Sequence, residues 1–367
     1  MTGKDRLTRL FNGKEIDRVP IYLLFQDYAA PFYTDVWSIP VYKPIVARVY
    51  ETNDFIDRRV FDLGFCYNSH PGIEKVTDTQ IDGDVQITTT RVGCGDVWLE
   101  KSVIKTSDST TREPYIKEPS DLGKILELPY RQPQPVTAWF FDEAARFGDR
   151  GLMGVRLDDP ISLLHGLCDE TEFTVLCYTE TEAVDEFLSV MYERAESVYR
   201  YFLERGVGPI YWIEGAEYAG PPLLPPACFR QLVTGYEKRL VDLVRDYDMW
   251  TMIHCHGRMK EIADDFRHIA ADSIHPVEGP PMGDITLTEA REKLGPDMII
   301  TGNIQYGDIW SMTADEIEQC VKDILNEAMG NPFILATTGG PSNPNINQRV
   351  VDNYLRIMDT ALAVGKY

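Results

Sequence analysis

Two histidines separated by one residue follow an apolar segment in the last third of the chain. Residues 249–253 are typical of a buried strand, and His254, Cys255 and His256 come directly after them, before Gly257. Because side chains alternate along a strand, we expect His254 and His256 to point to one side and Cys255 to the other. Two imidazoles on one side are candidate metal ligands. The alternative is that both are polar residues that end a strand without binding anything.

Two carboxylates are candidate partners of these histidines. Glu214 and Glu217 follow the strand predicted over residues 209–213, one strand–helix unit before the histidine strand. In a barrel with sequential strand order, the ends of these two strands are neighbours. Catalytic zinc commonly has three protein ligands and one open position, and two histidines with one glutamate are such a set. We therefore expect His254, His256 and Glu217 to bind zinc. Glu214 is the alternative ligand, and either glutamate could instead act as a general base or line a polar funnel.

Polar and aromatic residues also follow other strand candidates, where barrel enzymes place their reactive groups. Three polar side chains are candidates for orienting a substrate or managing a proton: Glu278, Asp27 and Asn303. Three tyrosines are candidates for clasping a flat or apolar ligand: Tyr28, Tyr218 and Tyr306. The structural alternatives are helix caps and turns for the polar residues, and packing within long loops for the aromatic ones.

A repeated strand-then-helix pattern must position these residues. From residue 137 onward, six strand candidates alternate with segments of helical spacing, and two more strands are predicted over residues 18–25 and 60–65, with a helix over 44–58 between them. Alternating units imply a parallel sheet, and a count that approaches eight favours a closed (β/α)₈ TIM barrel over an open doubly wound sheet. No G-x-G-x-x-G or Walker-type loop follows any strand, so the nucleotide-binding fingerprint is missing.

Residues 79–118 interrupt this pattern. Threonine and valine are dense there, apolar and polar residues alternate, and Gly93 and Gly95 can supply a turn. We predict an antiparallel β insertion at about 79–118 within one α/β domain that spans residues 1–367.

Charge and composition exclude several classes of protein. The formal net charge of −22 repels polyanions, so we expect no nucleic-acid partner. The amino-terminal residues contain no apolar signal segment and no later window is long enough for a membrane span, so we expect a cytoplasmic protein without membrane contact. Seven scattered cysteines with no C-x-x-C pair favour reduced thiols over a disulfide framework.

Four segments resemble uroporphyrinogen decarboxylase-like proteins. They are residues 6–20, the H-x-H-G sequence at 254–257, residues 289–304 with their Gly-Asn-Ile end, and residues 333–341. The resemblance implies a (β/α)₈ barrel, in agreement with the strand count. True decarboxylases of this family carry an arginine-rich segment after the first strand, whereas residues 24–30 contain no arginine.

The other large branch of the family consists of cobamide-dependent methyltransferases, in which an H-x-C pair and a later cysteine bind zinc. His254 matches the first ligand, but His256 stands at the place of the first cysteine and about Gly339 at the place of the second. A site of nitrogen and oxygen ligands is harder than one with two thiolates and is better suited to polarising an oxygen than to activating a thiol. This difference favours the substrate-demethylating type of enzyme.

The expected function is therefore zinc-dependent methyl transfer from a small O-methylated substrate, such as a methoxylated aromatic compound, to the cob(I)amide of a separate corrinoid protein. The corrinoid must come from a partner because the chain has no D-x-H-x-x-G segment. Three alternatives are a methylcobamide:thiol methyltransferase, a metal-independent decarboxylase or lyase, and a non-catalytic tetrapyrrole-binding protein. The resemblance is also compatible with a homodimer.

Overall fold

Eight parallel strands form a barrel in the computed structural model, which describes residues 1–366. In chain order the strands are β1 (Ile21–Tyr22), β2 (Phe55–Arg59), β3 (Glu74–Asp82), β4 (Val85–Cys94), β5 (Val97–Lys105), β6 (Thr110–Glu113), β7 (Gly151–Asp158), β8 (Ile210–Glu214), β9 (Trp250–His254), β10 (Ser273–His275), β11 (Ile299–Ile304) and β12 (Phe333–Thr337). The barrel order is β1-β12-β11-β10-β9-β8-β7-β2, so each strand lies beside its neighbour in sequence once β3 to β6 are set aside. This is the predicted TIM-barrel topology.

Helices cover the outside of the barrel and connect its strands. They are α1 (Gly3–Phe11), α2 (Lys43–Thr52), α3 (Ser120–Glu127), α4 (Ala138–Phe147), α5 (Pro160–His165), α6 (Glu170–Thr179), α7 (Thr181–Leu203), α8 (Pro226–Phe229), α9 (Gly235–Arg245), α10 (Ala263–Ile269), α11 (Leu287–Leu294), α12 (Tyr306–Ser311), α13 (Ala314–Ala328) and α14 (Gln348–Val364). Short 3₁₀ turns at Pro40–Tyr42, Gly148–Arg150 and Ala216–Ala219, and a π-helical turn at Arg230–Thr234, complete the connections.

The starts of two outer helices are set by local sequence. Thr286 before α11 and Thr313 before α13 each accept a hydrogen bond from the backbone N–H of the third helical residue. The side chains of Glu289 and Glu316 each accept one from the backbone N–H of the cap threonine. These capping boxes satisfy amide groups that the first turn leaves unpaired, and each cap contributes about 1 kcal/mol.

The barrel seam lies between β1 and β2. Asp54, just before β2, donates its backbone N–H to the carbonyl of Ile21 at 2.7 Å, and its Oδ2 accepts the N–H of Ile21 at 3.0 Å. The same buried carboxylate pairs with Arg6 and with Arg18, the latter at 2.8 Å. Asp54 therefore joins the two edge strands, β1 and β2, across the seam of the barrel.

Helix α1 closes the amino-terminal end of the barrel. Leu7 and Leu10 from α1 belong to an interior cluster with Ile56, Leu152 and Ile210, which stand at the starts of β2, β7 and β8. Leu7 is completely buried, and burial of such a side chain contributes roughly 2 kcal/mol. A ligand must consequently enter from the opposite end, where the strands finish.

The second sheet contains β3, β4, β5 and β6 in sequential antiparallel order and interrupts the connection from β2 to β7. It begins at Glu74, earlier than the predicted bound, and ends at Glu113. Val92 and Leu99, which are paired across β4 and β5, are buried in the main core and attach the sheet to the barrel.

The predicted second strand was wrong. The strand is Phe55–Arg59, within the predicted helix, and residues 60–65 follow it without regular structure. Charged residues at 57, 58 and 59 look like a helix surface in sequence, yet all three are buried in the strand and pair with other charges. The apolar run after the strand includes Phe61 and Leu63, which pack into the core from irregular chain.

None of the helices within residues 1–366 is long and apolar enough to cross a bilayer.

Candidate active site

Four functional side chains form a row across neighbouring strands at the carboxyl end of the barrel. Asp158 on β7 is in register with Glu214 on β8, Glu214 with His254 on β9, and His254 with His275 on β10. Residues in register on parallel strands face the same side of the sheet. Trp212, two residues before Glu214, lies in the interior cluster, so this row also faces the interior.

The two histidines of the row form a hydrogen-bonded pair. Nε2 of His275 lies 3.0 Å from the carbonyl oxygen of Thr337, so it must carry the hydrogen, and Nδ1 of His275 is then an acceptor when the ring is neutral. Nδ1 of His254 lies 3.0 Å from that acceptor and donates to it. Burial lowers the pKa of both rings well below the ordinary value, which keeps them neutral. Nε2 of His254 is consequently the bare nitrogen.

His256 is held by a carboxylate. Its Nδ1 lies 3.3 Å from Oε2 of Glu278, which also accepts the backbone N–H of Gly257 at 2.8 Å. Burial would lower the pKa of His256, but the hydrogen bond and the charge of Glu278 raise it above the ordinary value. The rings of His254 and His256 have centroids 4.7 Å apart, while Cys255 points away into the outer core, as the alternation predicted.

Glu217 lies in the 3₁₀ turn after β8 and is a buried carboxylate without a partner on one oxygen. Oε2 has no hydrogen-bond partner within residues 1–366, and burial raises the pKa of the group to about 7. The charge of His256 partly offsets that rise.

The expected zinc donors are present at this end of the barrel but do not converge. In the part of the chain that the structure describes, no group of three His, Cys, Asp or Glu side chains has an arrangement that could hold a metal ion. The Nδ1 atoms of His254 and His256 are held by His275 and Glu278, which is the usual support of metal-binding histidines. Zinc would therefore fit the donor types of His254, His256 and Glu217 only after a side chain moves.

Sequence reasoning missed Arg58. This fully buried guanidinium on β2 lies 4.0 Å from the ring centroid of Trp212, donates to the hydroxyl of Tyr33 at 2.9 Å and pairs with Glu214 at 3.3 Å. Arg156, on β7, forms a second ion pair with Glu214. Two arginines therefore hold Glu214 on the interior side of the row. A strand assignment for residues 55–59 would have placed Arg58 on the inner face.

Asp27 and Tyr28 are placed among other partners. Asp27 accepts hydrogen bonds from Arg150 and from the hydroxyl of Tyr50, both at 2.8 Å. Tyr28 donates its hydroxyl to the carbonyl of Arg58 at 2.6 Å, and its ring packs against the guanidinium of Arg59 at 3.9 Å. The structure brings neither residue into hydrogen-bonding contact with the histidine row.

The other predicted residues occupy separate positions around the mouth. Oδ1 of Asn303, on β11, is buried without a hydrogen-bond partner within residues 1–366. Tyr306, at the start of α12, packs against Gly339, where an added Cβ would lie 3.2 Å from its Cβ. Tyr218 stacks on His165 with centroids 3.6 Å apart and lines a cavity of about 520 Å³ that also contains Lys101. Asn303 and Tyr218 thus remain available for a ligand.

Comparison with solved structures shows the fold over the whole chain. A methyltransferase from Methanosarcina mazei superposes with a TM-score of 0.63 at 16% identity, covering 98% of this chain and 98% of that chain. A B12-independent methionine synthase from Shewanella sp. W3-18-1, in complex with selenomethionine, covers 80% of this chain and 76% of its own at 12% identity, with a TM-score of 0.40. No curated protein matches the sequence.

A family model described as uroporphyrinogen decarboxylase (URO-D) matches residues 149–349, which is more than half of the chain and includes every residue of the row. The barrel topology and the resemblance of the segments at 254–257, 289–304 and 333–341 agree with this match. The chain therefore belongs to the uroporphyrinogen decarboxylase (URO-D) family.

Proposed function

We propose that this protein is a methyltransferase that moves a methyl group from a small O-methylated substrate, such as a methoxylated aromatic compound, to the cob(I)amide of a separate corrinoid protein. The fold shared with a protein named as a methyltransferase, over 98% of both chains, supports the reaction class. The absence of arginine from residues 24–30 argues against the decarboxylase branch.

One observation carries the proposal: the hydrogen bonds from Thr337 through His275 to His254 leave a bare imidazole nitrogen at the mouth of the barrel. A nitrogen fixed in this way is prepared to bind an electrophile rather than to donate a proton. The mouth lies at the end of the barrel opposite to the one that α1 covers.

Cleavage of a methyl ether bond leaves electron density on the oxygen, which needs a proton or a Lewis acid. Glu278 positions His256 through Nδ1, so that Nε2 of His256 faces away from the carboxylate and can deliver a proton to the leaving oxygen. Asn303, with its unpartnered Oδ1, is suited to accept a hydrogen bond from the substrate and orient it.

If a side chain moves so that the three donors converge, zinc would be held by His254, His256 and Glu217, and it would supply Lewis-acid withdrawal of charge from the leaving oxygen. His256 cannot serve as a zinc ligand and a proton donor through the same nitrogen. Zinc binding and proton delivery are therefore two forms of the proposal that the metal content of the protein distinguishes.

The test combines metal analysis with a methyl-transfer assay. The purified protein is incubated with chemically reduced cob(I)alamin and a panel of methoxylated aromatic compounds, and formation of methylcobalamin is followed by its absorbance. We expect activity in the wild type and a loss of at least about 100-fold in His254→Ala. Tyr178→Phe, at a surface position that is 67% exposed, is the control for handling. Absence of methylcobalamin with every compound, both with free cob(I)alamin and with a corrinoid protein added, would reject the proposal.

Elemental analysis of the same preparations tests the zinc site. The zinc form of the proposal predicts one equivalent in the wild type and less in His254→Ala and Glu217→Ala. Full stoichiometry in both variants would show that these residues do not bind the metal.

A second candidate is a metal-independent decarboxylase or lyase, and Arg58 and Arg156 are the observation that favours it. Both guanidinium groups lie on the interior side of the mouth, and Nε of each is buried without a hydrogen-bond partner within residues 1–366. Such groups can bind the carboxylate of a substrate. Release of CO₂ that survives treatment with a chelator would favour this reaction over methyl transfer.

A further inference from the structure

The two faces of the inserted sheet carry opposite charges. Pairing across β3 to β6 assigns every residue to a face. On the face that contains the buried residues Val92 and Leu99, the charged side chains are all cations: Lys75, Lys101, Lys105 and Arg112. On the other face, Arg91 is accompanied by five acids: Glu74, Asp78, Asp82, Glu100 and Glu113. The face that contains Val92 and Leu99 is therefore a local positive surface in a chain with a net charge of −22.

The cationic face borders a cavity next to the barrel mouth. The cavity has a volume of about 640 Å³ and is lined by Lys75, Val92 and Lys101 from the sheet and by Asp158 and Ser162 from β7 and α5. Its size is that of a site for a small organic molecule. Because Asp158 belongs to the row with Glu214 and the histidines, the cavity reaches the candidate active site.

The cations of the cavity have no acidic partners. Neither Lys75 nor Lys101 forms an ion pair in the described part of the chain, and the ammonium nitrogen of Lys101 lies 5.0 Å from the ring centroid of Tyr115. Burial, together with the charge of Lys75, lowers the pKa of Lys101. An anion bound between the two lysines would relieve this repulsion.

His70 adds a neutral donor to the same wall. Its Nδ1 accepts the backbone N–H of Gly72 at 3.1 Å, so in the neutral ring the hydrogen is on Nε2. Phe65 and Tyr115 supply aromatic surface, with centroids 5.4 Å apart. The cavity thus combines positive charge, a hydrogen-bond donor and apolar walls.

The two carboxylates that line the cavity are engaged elsewhere. Oδ1 of Asp158 accepts the hydroxyl of Ser162 at 3.1 Å, and Oδ1 of Asp62 accepts the backbone N–H of Gly64 at 3.0 Å. Burial raises the pKa of Asp158 above its ordinary value. Neither carboxylate forms an ion pair with Lys75 or Lys101 within residues 1–366.

We propose that this cavity binds an organic anion, with Lys101 and Lys75 holding its carboxylate or phosphate group and the aromatic walls holding its apolar body. The bound anion extends past Asp158 toward the histidine row, so the inserted sheet selects negatively charged substrates. The inference rests on the proposed function only in identifying the anion as the substrate.

Binding is tested by titration calorimetry on the full chain with benzoate, phenyl phosphate and the neutral benzamide as probes. We expect benzoate or phenyl phosphate to bind at one site and benzamide to bind at least about tenfold more weakly, because it lacks the charge. Whichever anion binds more tightly identifies the group. Equal affinity for benzamide, or no binding of either anion at millimolar concentration, would overturn the proposal.

Matched variants locate the site on one face of the sheet. Lys101→Gln and Lys75→Gln each remove one charge from the cationic face, and Arg91→Gln removes one from the opposite face of the same sheet. We expect the affinity for the anion to fall about tenfold or more in the first two, to stay within twofold in Arg91→Gln and to recover in Lys101→Arg. Equal losses in Arg91→Gln and Lys101→Gln would show a general charge effect and refute the site.

Failure of this inference is distinguishable from failure of the proposed function. If anion binding depends on Lys101 but no methyl transfer occurs, the cavity is a binding site and the reaction is different. If methyl transfer occurs and its KM is unchanged in Lys101→Gln, the reaction stands and the cavity does not bind the substrate.

Discussion

Nδ1 of His254 lies 3.0 Å from Nδ1 of His275, and the carbonyl of Thr337 determines which ring donates the hydrogen. His275→Phe removes both of its nitrogens, so His254 loses the acceptor that fixes its tautomer. We expect the kcat of methyl transfer to fall about 10- to 100-fold and the free energy of unfolding to fall by about 1–3 kcal/mol. Nitrogen-15 NMR of histidine-labelled protein reports the tautomer of His254. An unchanged tautomer with unchanged kcat would contradict this role.

Arg58 is a buried cation whose removal leaves Glu214 with one partner instead of two. We expect Arg58→Met to lower the free energy of unfolding by about 3 kcal/mol, because half of the charge compensation of a largely buried carboxylate is lost. Glu214→Gln in the same chain should restore part of the loss. Denaturant unfolding of the two single variants and the double variant gives the coupling energy, and strict additivity would rule out the interaction. Arg91→Met at an exposed position should change stability by less than about 0.5 kcal/mol.

Glu217 gives the protein a dependence of stability on pH. Burial raises its pKa from 4.5 to about 7, so the folded state holds this proton more tightly than the unfolded state. The resulting stabilisation is complete below about pH 4.5 and is lost as the pH rises through about 7. Relative to Glu217→Gln, the wild type should lose up to about 3 kcal/mol over this range. Unfolding curves of the wild type and of Glu217→Gln at pH 5 and pH 8, measured with chelator present, test the sign of this pH dependence. An equal difference in the free energy of unfolding between the two proteins at both pH values would disprove it.

Asp54 joins the two edges of the barrel and pairs with two arginines. Asp54→Asn leaves Arg6 and Arg18 without this charge, and we expect a loss of about 3–5 kcal/mol in the free energy of unfolding. Asp17→Asn is the matched control, because Asp17 also pairs with Arg6 but is 41% exposed. The control should cost less than about 1 kcal/mol, and similar losses in the two variants would show that the seam is not the cause.

The alternation of strands and helices was sufficient to predict the barrel, and the runs before residues 158, 214, 254 and 275 located the strands that carry the row. These strands are evident in the sequence because most of their residues on both faces are apolar before the final position. The second strand could not be found in the same way. Asp57, Arg58 and Arg59 are charged and buried, and ion pairs compensate for the cost of burying them. The partners of Arg58 and Arg59 include residues from distant segments, which the local sequence does not reveal.

The side on which His254, Cys255 and His256 point followed from strand geometry alone. The partners of the two histidines did not, because His275 and Glu278 reach them from the next strand and the loop after it. Asp27 shows the limit, since a carboxylate at the end of a strand was expected at the mouth and instead pairs with Arg150 and Tyr50.

The position of β12 between β11 and β1 has a consequence for the order of folding. Leu335 on β12 is in register with Ile21 on β1, so the first barrel strand can form its strand ladder only after the last strand is present. We therefore expect the interior to stay open to water until β12 pairs with β1. We expect the cost of desolvating Arg58 to fall on this closure step, where the ion pair with Glu214 compensates for it.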